Sequence, residues 1–218
     1  MGYDTIAEWY ETEFLAAQAG SDPIGARSAL RELLGRGDGA VCLEVGCGTG
    51  THAAQVRAQG WTPVGVDLSQ GMLRYAAGRL PIARGDATRL PVRDRSVPAV
   101  IAMLVHTDMP DYPQVVREVA RVLRPGGVFV HVGVHPCFCG GFADRSDPEA
   151  VVIRPGYRDG HFTHASWTDA GVRAKVGASH WPLPELLRMF TAAGLVAEEY
   201  HEGGGPSPVT FSMRLRRG

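Results

Sequence analysis

The sequence lacks most features that mark disulfide-bonded, secreted or membrane-spanning proteins. Its four cysteines are too few and too unevenly spread for a disulfide framework: Cys42, Cys47, Cys137 and Cys139. No apolar run approaches the ~20 residues that span a bilayer, and residues 1–4 show no start of a signal peptide. These absences predict a cytoplasmic protein that does not insert into membranes.

An excess of charge of one sign is also lacking. The chain has 22 basic and 23 acidic residues and a formal net charge of -1, so no strong field attracts a polyanion or an anionic membrane surface. We therefore expect neither nucleic acid nor membrane among its partners. Lysine is nearly absent, because all 22 basic residues except Lys175 are arginines. This bias indicates a GC-rich bacterial source.

The order of the apolar runs predicts a single α/β domain. Hydrophobic residues make up 44% of the 218 residues, which is enough for the core of one domain. Short β-rich runs alternate with helix-length patterns, which is typical of a parallel sheet with crossover helices. The predicted strands are residues 41–45, 62–66, 81–83, 97–105 and 128–134, followed by a closing hairpin of 195–200 and 209–215.

Helix signals fall between these strands. Asp111 is predicted to cap the helix before the fifth strand, with Pro113 in its first turn. The Arg-Pro-Gly-Gly segment 124–127 is predicted to end it, because proline cannot continue the hydrogen-bond ladder. Further helices are predicted over 51–59, from about residue 70, and over 184–193.

Residues 135–180 are irregular and rich in glycine, histidine, proline and aromatic residues. A connection of this length is typical of a functional insertion. Its aromatic and imidazole side chains favour a lid over a flat substrate, although hydrophobic anchoring of the loop would produce the same pattern. These side chains are Tyr157, His161, Phe162, His164 and Trp167.

Polar groups follow three successive predicted strands. Residues 44–50, Glu-Val-Gly-Cys-Gly-Thr-Gly, lie between the first strand and a helix, where glycines let the backbone approach a ligand and the helix N-terminus favours a negative group. Asp67 ends the second strand and is placed to accept from ribose hydroxyls. Asp86 follows the third and can accept from an exocyclic amine. Each acid alone could be merely solvated, but together they predict an adenosine-shaped site.

The spacing of the glycines distinguishes a dinucleotide site from a site for another nucleoside-containing ligand. A dinucleotide fingerprint is G-x-G-x-x-G, whereas here the third glycine is Gly50 and the next residue is Thr51. The spacing G-x-G-x-G, with Glu44 two residues before the first glycine, disfavours a nicotinamide oxidoreductase. Residues 44–50 resemble the first motif of class I S-adenosylmethionine-dependent methyltransferases. Three further segments resemble the family's later motifs, in the same order and spacing. They are 64–69 (V-G-V-D-L-S), 85–87 (G-D-A) and 123–127 (L-R-P-G-G).

The resemblance covers residues 40–135 well and extends more loosely to 3–10, which are similar to the N-terminal segment of the small-molecule subgroup. It implies an α/β fold, a Rossmann-like three-layer sandwich with a seven-stranded, mostly parallel sheet and an antiparallel last strand. It also implies S-adenosylmethionine as cofactor and S-adenosylhomocysteine as its product. The resulting single domain would comprise a helical lid (1–38), a cofactor-binding core (39–134), a substrate-side insertion (135–180) and a C-terminal helix and hairpin (181–218).

The resemblance further implies roles for individual residues. Asp67 would bind the ribose hydroxyls, Asp86 would bind the adenine amine, and Glu44 would order the glycine loop or the methionine amine. Tyr10 would close over the cofactor, and Leu104 would line its methionine side. Cys47 occupies a variable position of the motif. The remaining contacts would come from Gly46, Gly48 and Gly50 against the methionine part, and from Leu68, Met72 and the Ala87 amide near the adenine.

Methyl transfer needs a nucleophile held in line within about 3–3.5 Å in a site that excludes water. A hydroxyl acceptor must also lose a proton. His106 and His135 follow the fourth and fifth strands and are the candidate catalytic residues, although His106 could instead belong to the cofactor-side wall. His131 is predicted to be a hydrogen-bonded core residue. No metal site is predicted, because the His and Cys residues near 135–139 do not match the usual zinc spacing.

The sequence thus predicts a methyltransferase acting on a small molecule, with an oxygen acceptor slightly favoured over nitrogen or carbon. One alternative is a homologue that binds the cofactor but has a regulatory or non-methylating role. An RNA methyltransferase is disfavoured by the balanced charge. We expect a monomer or a homodimer.

Overall fold

The computed structural model describes residues 2–147, 149–160, 162–166 and 171–218. His161 and Trp167 of the predicted lid lie outside these residues. Within the described ranges, no helix is both long and apolar enough to cross a membrane.

A seven-stranded sheet forms the centre of the fold, in the order β3-β2-β1-β4-β5-β9-β8. Strands β1 to β5 pair in parallel, whereas β9 runs antiparallel to both β5 and β8. The predicted fold class is confirmed. The strands are β1 Val41–Val45, β2 Thr62–Asp67, β3 Ile82–Arg84, β4 Val97–Met103, β5 Leu123–Val134, β6 Ala143–Asp144, β7 Val152–Ile153, β8 Leu195–Gly203 and β9 Thr210–Arg217, with β6 and β7 forming a separate hairpin.

Helices cover both faces of the sheet. Leu30 and Leu33 of α2 pack on one face, and Val119 of α5 and Phe190 of α7 pack on the other. Each of these side chains is buried because the strands beneath them are apolar on both faces. The helices are α1 Gly2–Trp9, α2 Ala26–Leu34, α3 Ala53–Ala58, α4 Gln70–Ala76, α5 Tyr112–Val122, α6 Val172–Val176 and α7 Leu183–Ala192.

The predicted caps of α5 are present. The Asp111 side chain accepts a hydrogen bond from the Gln114 backbone N–H, and Pro113 lies in the first turn. The helix ends at Val122, but β5 begins at once with Leu123, five residues before the predicted strand. The segment 124–127 is therefore part of β5, and an irregularity in its pairing with β4 accommodates it.

Strand β4 is shorter than predicted. It ends at Met103, because Leu104 has a positive φ of 60° and turns the chain out of the extended conformation. The following loop is held by the end of the insertion: the Ser179 N–H donates to the Thr107 carbonyl, and Trp181 Nε1 donates to the His106 carbonyl. The insertion thus packs against the carboxyl edge of the sheet.

Candidate functional site

The glycine loop after β1 is hydrogen-bonded to β2 and has open space next to Gly48. The N–H groups of Gly46 and Cys47 both donate to the Val66 carbonyl of β2. Gly46, Gly48 and Gly50 have φ values of 71°, 53° and 75°, in the left-handed region that favours glycine. A Cβ added at Gly48 would meet no atom within 4 Å. A ligand could therefore approach the backbone closely at Gly48.

Asp67 joins this loop to the end of β2. Its Oδ2 accepts from the Gly48 N–H at 2.8 Å, and its Oδ1 accepts from the Ser69 N–H, also at 2.8 Å. Burial raises the pKa of Asp67, while these backbone donors oppose the rise. Each carboxylate oxygen has a second lone pair, so both oxygens can accept further hydrogen bonds, as binding of a vicinal diol requires.

Glu44 lies beneath the loop and is only 1% exposed. Its Oε1 is 2.7 Å from Nδ1 of His52, whereas its Oε2 is buried without a hydrogen-bond partner among the described residues. A buried carboxylate oxygen that lacks a donor carries a free-energy cost, and an ammonium group would remove that cost. His52 was not predicted, since its position in a helix turn eight residues away carries no motif signal.

Hydrogen bonds and an ion pair hold the N-terminal segment against the glycine loop and α4. Asp4 accepts from Ser69 Oγ at 2.8 Å and from the Gly71 N–H at 2.7 Å, which ties α1 to the start of α4. Farther along, Glu11 forms an ion pair with Arg79, and Arg79 Nη1 donates to the Thr49 carbonyl at 3.0 Å. The segment therefore lies against both the glycine loop and α4.

Tyr10 is part of this segment and stacks on Phe14, with ring centroids 5.3 Å apart. Burial, followed by the negative charge of Asp108, raises the pKa of Tyr10 to about 12. The phenol therefore stays neutral across the physiological range. The Tyr10 ring also lies edge-on to that of Tyr3, with centroids 6.3 Å apart, and the Tyr3 hydroxyl donates to Asp108.

The other predicted cofactor residues lie at the ends of neighbouring strands and the helices that follow. Leu68 is 44% exposed, whereas Met72 of α4 and Cys47 are buried. Asp86 caps the short 3₁₀ turn Ala87–Arg89, since its Oδ1 accepts from the Thr88 N–H at 2.8 Å. Leu104 forms the turn after β4. The parallel strand order thus brings the polar groups after β1, β2 and β3 to one edge of the sheet.

His106 lies in a buried cluster with His131 and Tyr112. The two imidazole rings are 5.1 Å apart, and His131 Nδ1 is hydrogen-bonded to Tyr112 Oη at 2.8 Å, as expected for a core residue. Burial lowers the pKa of His131 to about 3 and places the pKa of His106 well below its usual value. Both rings are therefore neutral near pH 7. The His106 Nδ1 has no hydrogen-bond partner within the described ranges.

His135 is hydrogen-bonded through both ring nitrogens. The Cys137 N–H donates to Nδ1 at 3.1 Å, so Nδ1 is unprotonated, and Nε2 is 2.7 Å from a Glu202 carboxylate oxygen. These contacts join the end of β5 to β8. Cys139 Sγ lies 3.4 Å from the Val209 carbonyl. Among the residues that the structure describes, no group of histidine, cysteine or acidic side chains has the arrangement of a metal site.

Asp108 is an acidic residue of the site that sequence reasoning missed. It follows β4 and accepts from the Tyr3 hydroxyl at 2.8 Å. Burial raises the pKa of Asp108 to about 7, although the Tyr3 hydrogen bond and the Arg173 charge oppose the rise. Tyr3 is 105 positions away in the chain, so no local sequence signal could have paired these residues.

We expect Asp108→Asn to be more stable than the wild type at pH 8 by up to about 4 kcal/mol, since one pKa unit corresponds to about 1.4 kcal/mol. The raised folded-state pKa shows that folding favours the neutral carboxyl of the wild type. The stabilisation from this neutral carboxyl is complete below an unfolded-state pKa of about 3.9 and is lost as pH rises through 7. Asparagine stays neutral and can still accept from Tyr3. Urea unfolding between pH 4 and pH 8 measures the difference in the free energy of unfolding. A difference that does not grow across this window would contradict the assignment.

The comparisons with known proteins agree with this geometry. A family model described as "Methyltransferase domain" matches residues 43–131. The matched residues contain the glycine loop, Asp67 and Asp86, and the match supports the resemblance to class I S-adenosylmethionine-dependent methyltransferases. Demethylmenaquinone methyltransferase from Mycolicibacterium paratuberculosis is 36% identical over 129 residues, which cover 59% of this chain and 56% of that protein. The chain spans about half the length of the curated relatives it matches.

Solved structures show the same fold. An S-adenosylmethionine-dependent methyltransferase from Mesorhizobium loti has a TM-score of 0.70 at 22% identity, covering 88% of this chain and 96% of that chain. The (4+2)-cyclase SpnF has a TM-score of 0.66 at 19% identity, covering 98% and 95%. The match to a methyltransferase domain supports S-adenosylmethionine as the cofactor. The open face at Gly48 and the unpartnered Glu44 oxygen fit its methionine end.

Proposed function

We propose that this protein transfers a methyl group from S-adenosylmethionine to a small-molecule acceptor. The observation that carries the proposal is the connection of Asp67 to the glycine loop through the Gly48 N–H. It supports a diol-binding role for this carboxylate, because the backbone beside it has room for a ligand. The matched domain over residues 43–131 contains both parts.

The cofactor supplies an electrophilic methyl group on a sulfonium. Asp67 would accept from the ribose hydroxyls, and Asp86 would accept from the adenine amine beside Leu68, Met72 and the Ala87 amide. Glu44 Oε2 would accept from the methionine ammonium along the glycine loop. Tyr10 would exclude water, because it lies over the same edge of the sheet. These residues position the reactants, which is the main requirement of this chemistry.

The acceptor is proposed to lie on the side of the insertion, beyond the ends of β4 and β5. An oxygen acceptor is slightly favoured over nitrogen or carbon, since it must lose a proton and proton-accepting groups are present there. These are neutral His106, with its unpartnered Nδ1, and Asp108, with a pKa of about 7. His135 remains a second predicted catalytic residue, although its hydrogen bonds favour a positioning role. The name of the mycobacterial relative supports a small-molecule acceptor.

We expect ligand-free protein to bind S-adenosylhomocysteine with a Kd near micromolar, roughly -8 kcal/mol, in a calorimetric titration. NADH serves as the control and should not bind. Absence of S-adenosylhomocysteine binding in folded, cofactor-free protein would overturn the proposal.

A second measurement separates methyl transfer from cofactor binding alone. Protein that binds S-adenosylhomocysteine is incubated with radiolabelled S-adenosylmethionine and a broad panel of hydroxyl, amine and carbon acceptors. Transfer of label supports the proposal. Retained binding without transfer to any acceptor would favour the alternative of a non-methylating role.

A further inference from the structure

Helix α6 of the insertion lies beside the N-terminal helix. Lys175 Nζ stands 4.4 Å from the centre of the Trp9 ring, a cation–π contact. A Cβ added at Gly2 would lie 3.1 Å from a methyl carbon of Val176, so the two helices pack closely. After α6, the chain continues to Ser179, whose N–H donates a hydrogen bond to the Thr107 carbonyl. Helix α6 thus lies between α1 and the loop after β4.

Arg173 of α6 carries a buried donor that has no acceptor in the part of the chain that the structure describes. Its Nη1 is shielded from solvent and has no hydrogen-bond partner among the described residues. Its charge acts on Asp108 and His106 after β4 and on Cys139 after β5. Because α6 also leads directly to the hydrogen bond between Ser179 and Thr107, Arg173 lies near the carboxyl ends of both strands, where the acceptor is proposed to bind.

The chemistry of the Arg173 guanidinium indicates which kind of ligand group it would bind. A buried charged donor without an acceptor costs more free energy than a neutral one. A planar guanidinium is matched best by a carboxylate, which can accept two parallel hydrogen bonds. Asp108 does not fill this role, because it is not hydrogen-bonded to Arg173 Nη1 and its Oδ2 accepts from Tyr3.

We propose that Arg173 binds a carboxylate of the methyl acceptor, an inference that rests on the proposed methyltransferase function. The substrate class is therefore small acidic molecules. The cofactor's own carboxylate is the less favoured source. Arg173 is on α6, which leads to the hydrogen bond between Ser179 and Thr107 in the loop after β4. The glycine loop is instead contacted by Arg79, which is paired with Glu11.

The test uses the S-adenosylhomocysteine-loaded protein and three pairs of probes in calorimetric titrations. The pairs are benzoate and benzamide, 4-hydroxybenzoate and its amide, and 4-hydroxyphenylacetate and its amide. We expect at least one carboxylate to bind at least tenfold more tightly than its amide. Arg173→Gln should remove this preference, and Arg173→Lys should keep part of it. Arg158→Gln, which removes an exposed arginine of the same insertion, should leave it unchanged.

The outcomes separate the two proposals. Wild-type protein that fails to bind S-adenosylhomocysteine overturns the proposed function. With that binding intact, the Arg173 assignment is wrong if no carboxylate binds better than its amide, or if the preference survives in Arg173→Gln. It is also wrong if Arg173→Gln weakens S-adenosylhomocysteine binding tenfold or more, since Arg173 would then bind the cofactor. Thermal unfolding of each variant confirms that it is folded.

Discussion

Replacing Asp67 with alanine is expected to weaken S-adenosylhomocysteine binding at least about 100-fold. Hydrogen bonds to a charged group contribute about 1.5–3 kcal/mol each, and about 1.4 kcal/mol corresponds to a tenfold change in Kd. Asp67 is predicted to make two such bonds to the ribose. Alanine also removes the acceptor for the Gly48 N–H, so the glycine loop loses its connection to the end of β2. Calorimetric titration of both proteins measures the change.

The matched control is Asp94→Ala. Asp94 forms an exposed ion pair with Arg121, away from the glycine loop, and its removal should leave the Kd unchanged. Asp67→Asn keeps one carbonyl oxygen and should fall between alanine and the wild type. Equal affinity of the wild type and a folded Asp67→Ala variant would show that another residue binds the ribose.

Gly133→Ala is expected to reduce the free energy of unfolding by about 3 kcal/mol, at the upper end of the usual cost of overpacking. A Cβ at this position would lie 2.6 Å from His106 Nδ1 and 2.7 Å from His131 Nε2. Neither ring can withdraw easily, because both are buried and His131 is bonded to Tyr112. Urea unfolding at pH 7 measures the loss.

Gly160→Ala is the control, since its added Cβ would be 3.5 Å from the nearest atom and in ordinary contact. It should change the stability by less than about 0.5 kcal/mol. In a double-mutant cycle, His106→Ala should partly offset Gly133→Ala, because it removes one of the two obstructing rings. Additive losses would show that the added methyl group does not contact His106.

The predicted and observed strands differ at two points, one with a local cause and one with a tertiary cause. Leu104 adopts a positive φ, which its apolar side chain does not signal, so the predicted continuation of β4 to residue 105 was wrong. At β5 the proline and glycines of 124–127 stop the helix as predicted. They nevertheless lie within β5, where Leu123 pairs with Val97 and Val128 pairs with Ala99. The four residues between these pairs bulge out of the ladder, and only the tertiary contact with β4 decides this.

The sequence by itself determined the α/β class, the five parallel strands and the capped helix before β5, because apolar periodicity and capping residues act locally. It also determined that Asp67 and Asp86 share an edge with the glycine loop, since parallel strands end on the same side of a sheet. Only the tertiary structure decided the environment of the histidines. His106 is neutral because helix α5 and strand β5 bury it, and His135 is held because Glu202 lies opposite. Likewise, long-range packing alone brings Tyr3 and Arg173 to Asp108, where burial and charge depend on residues far apart in the chain.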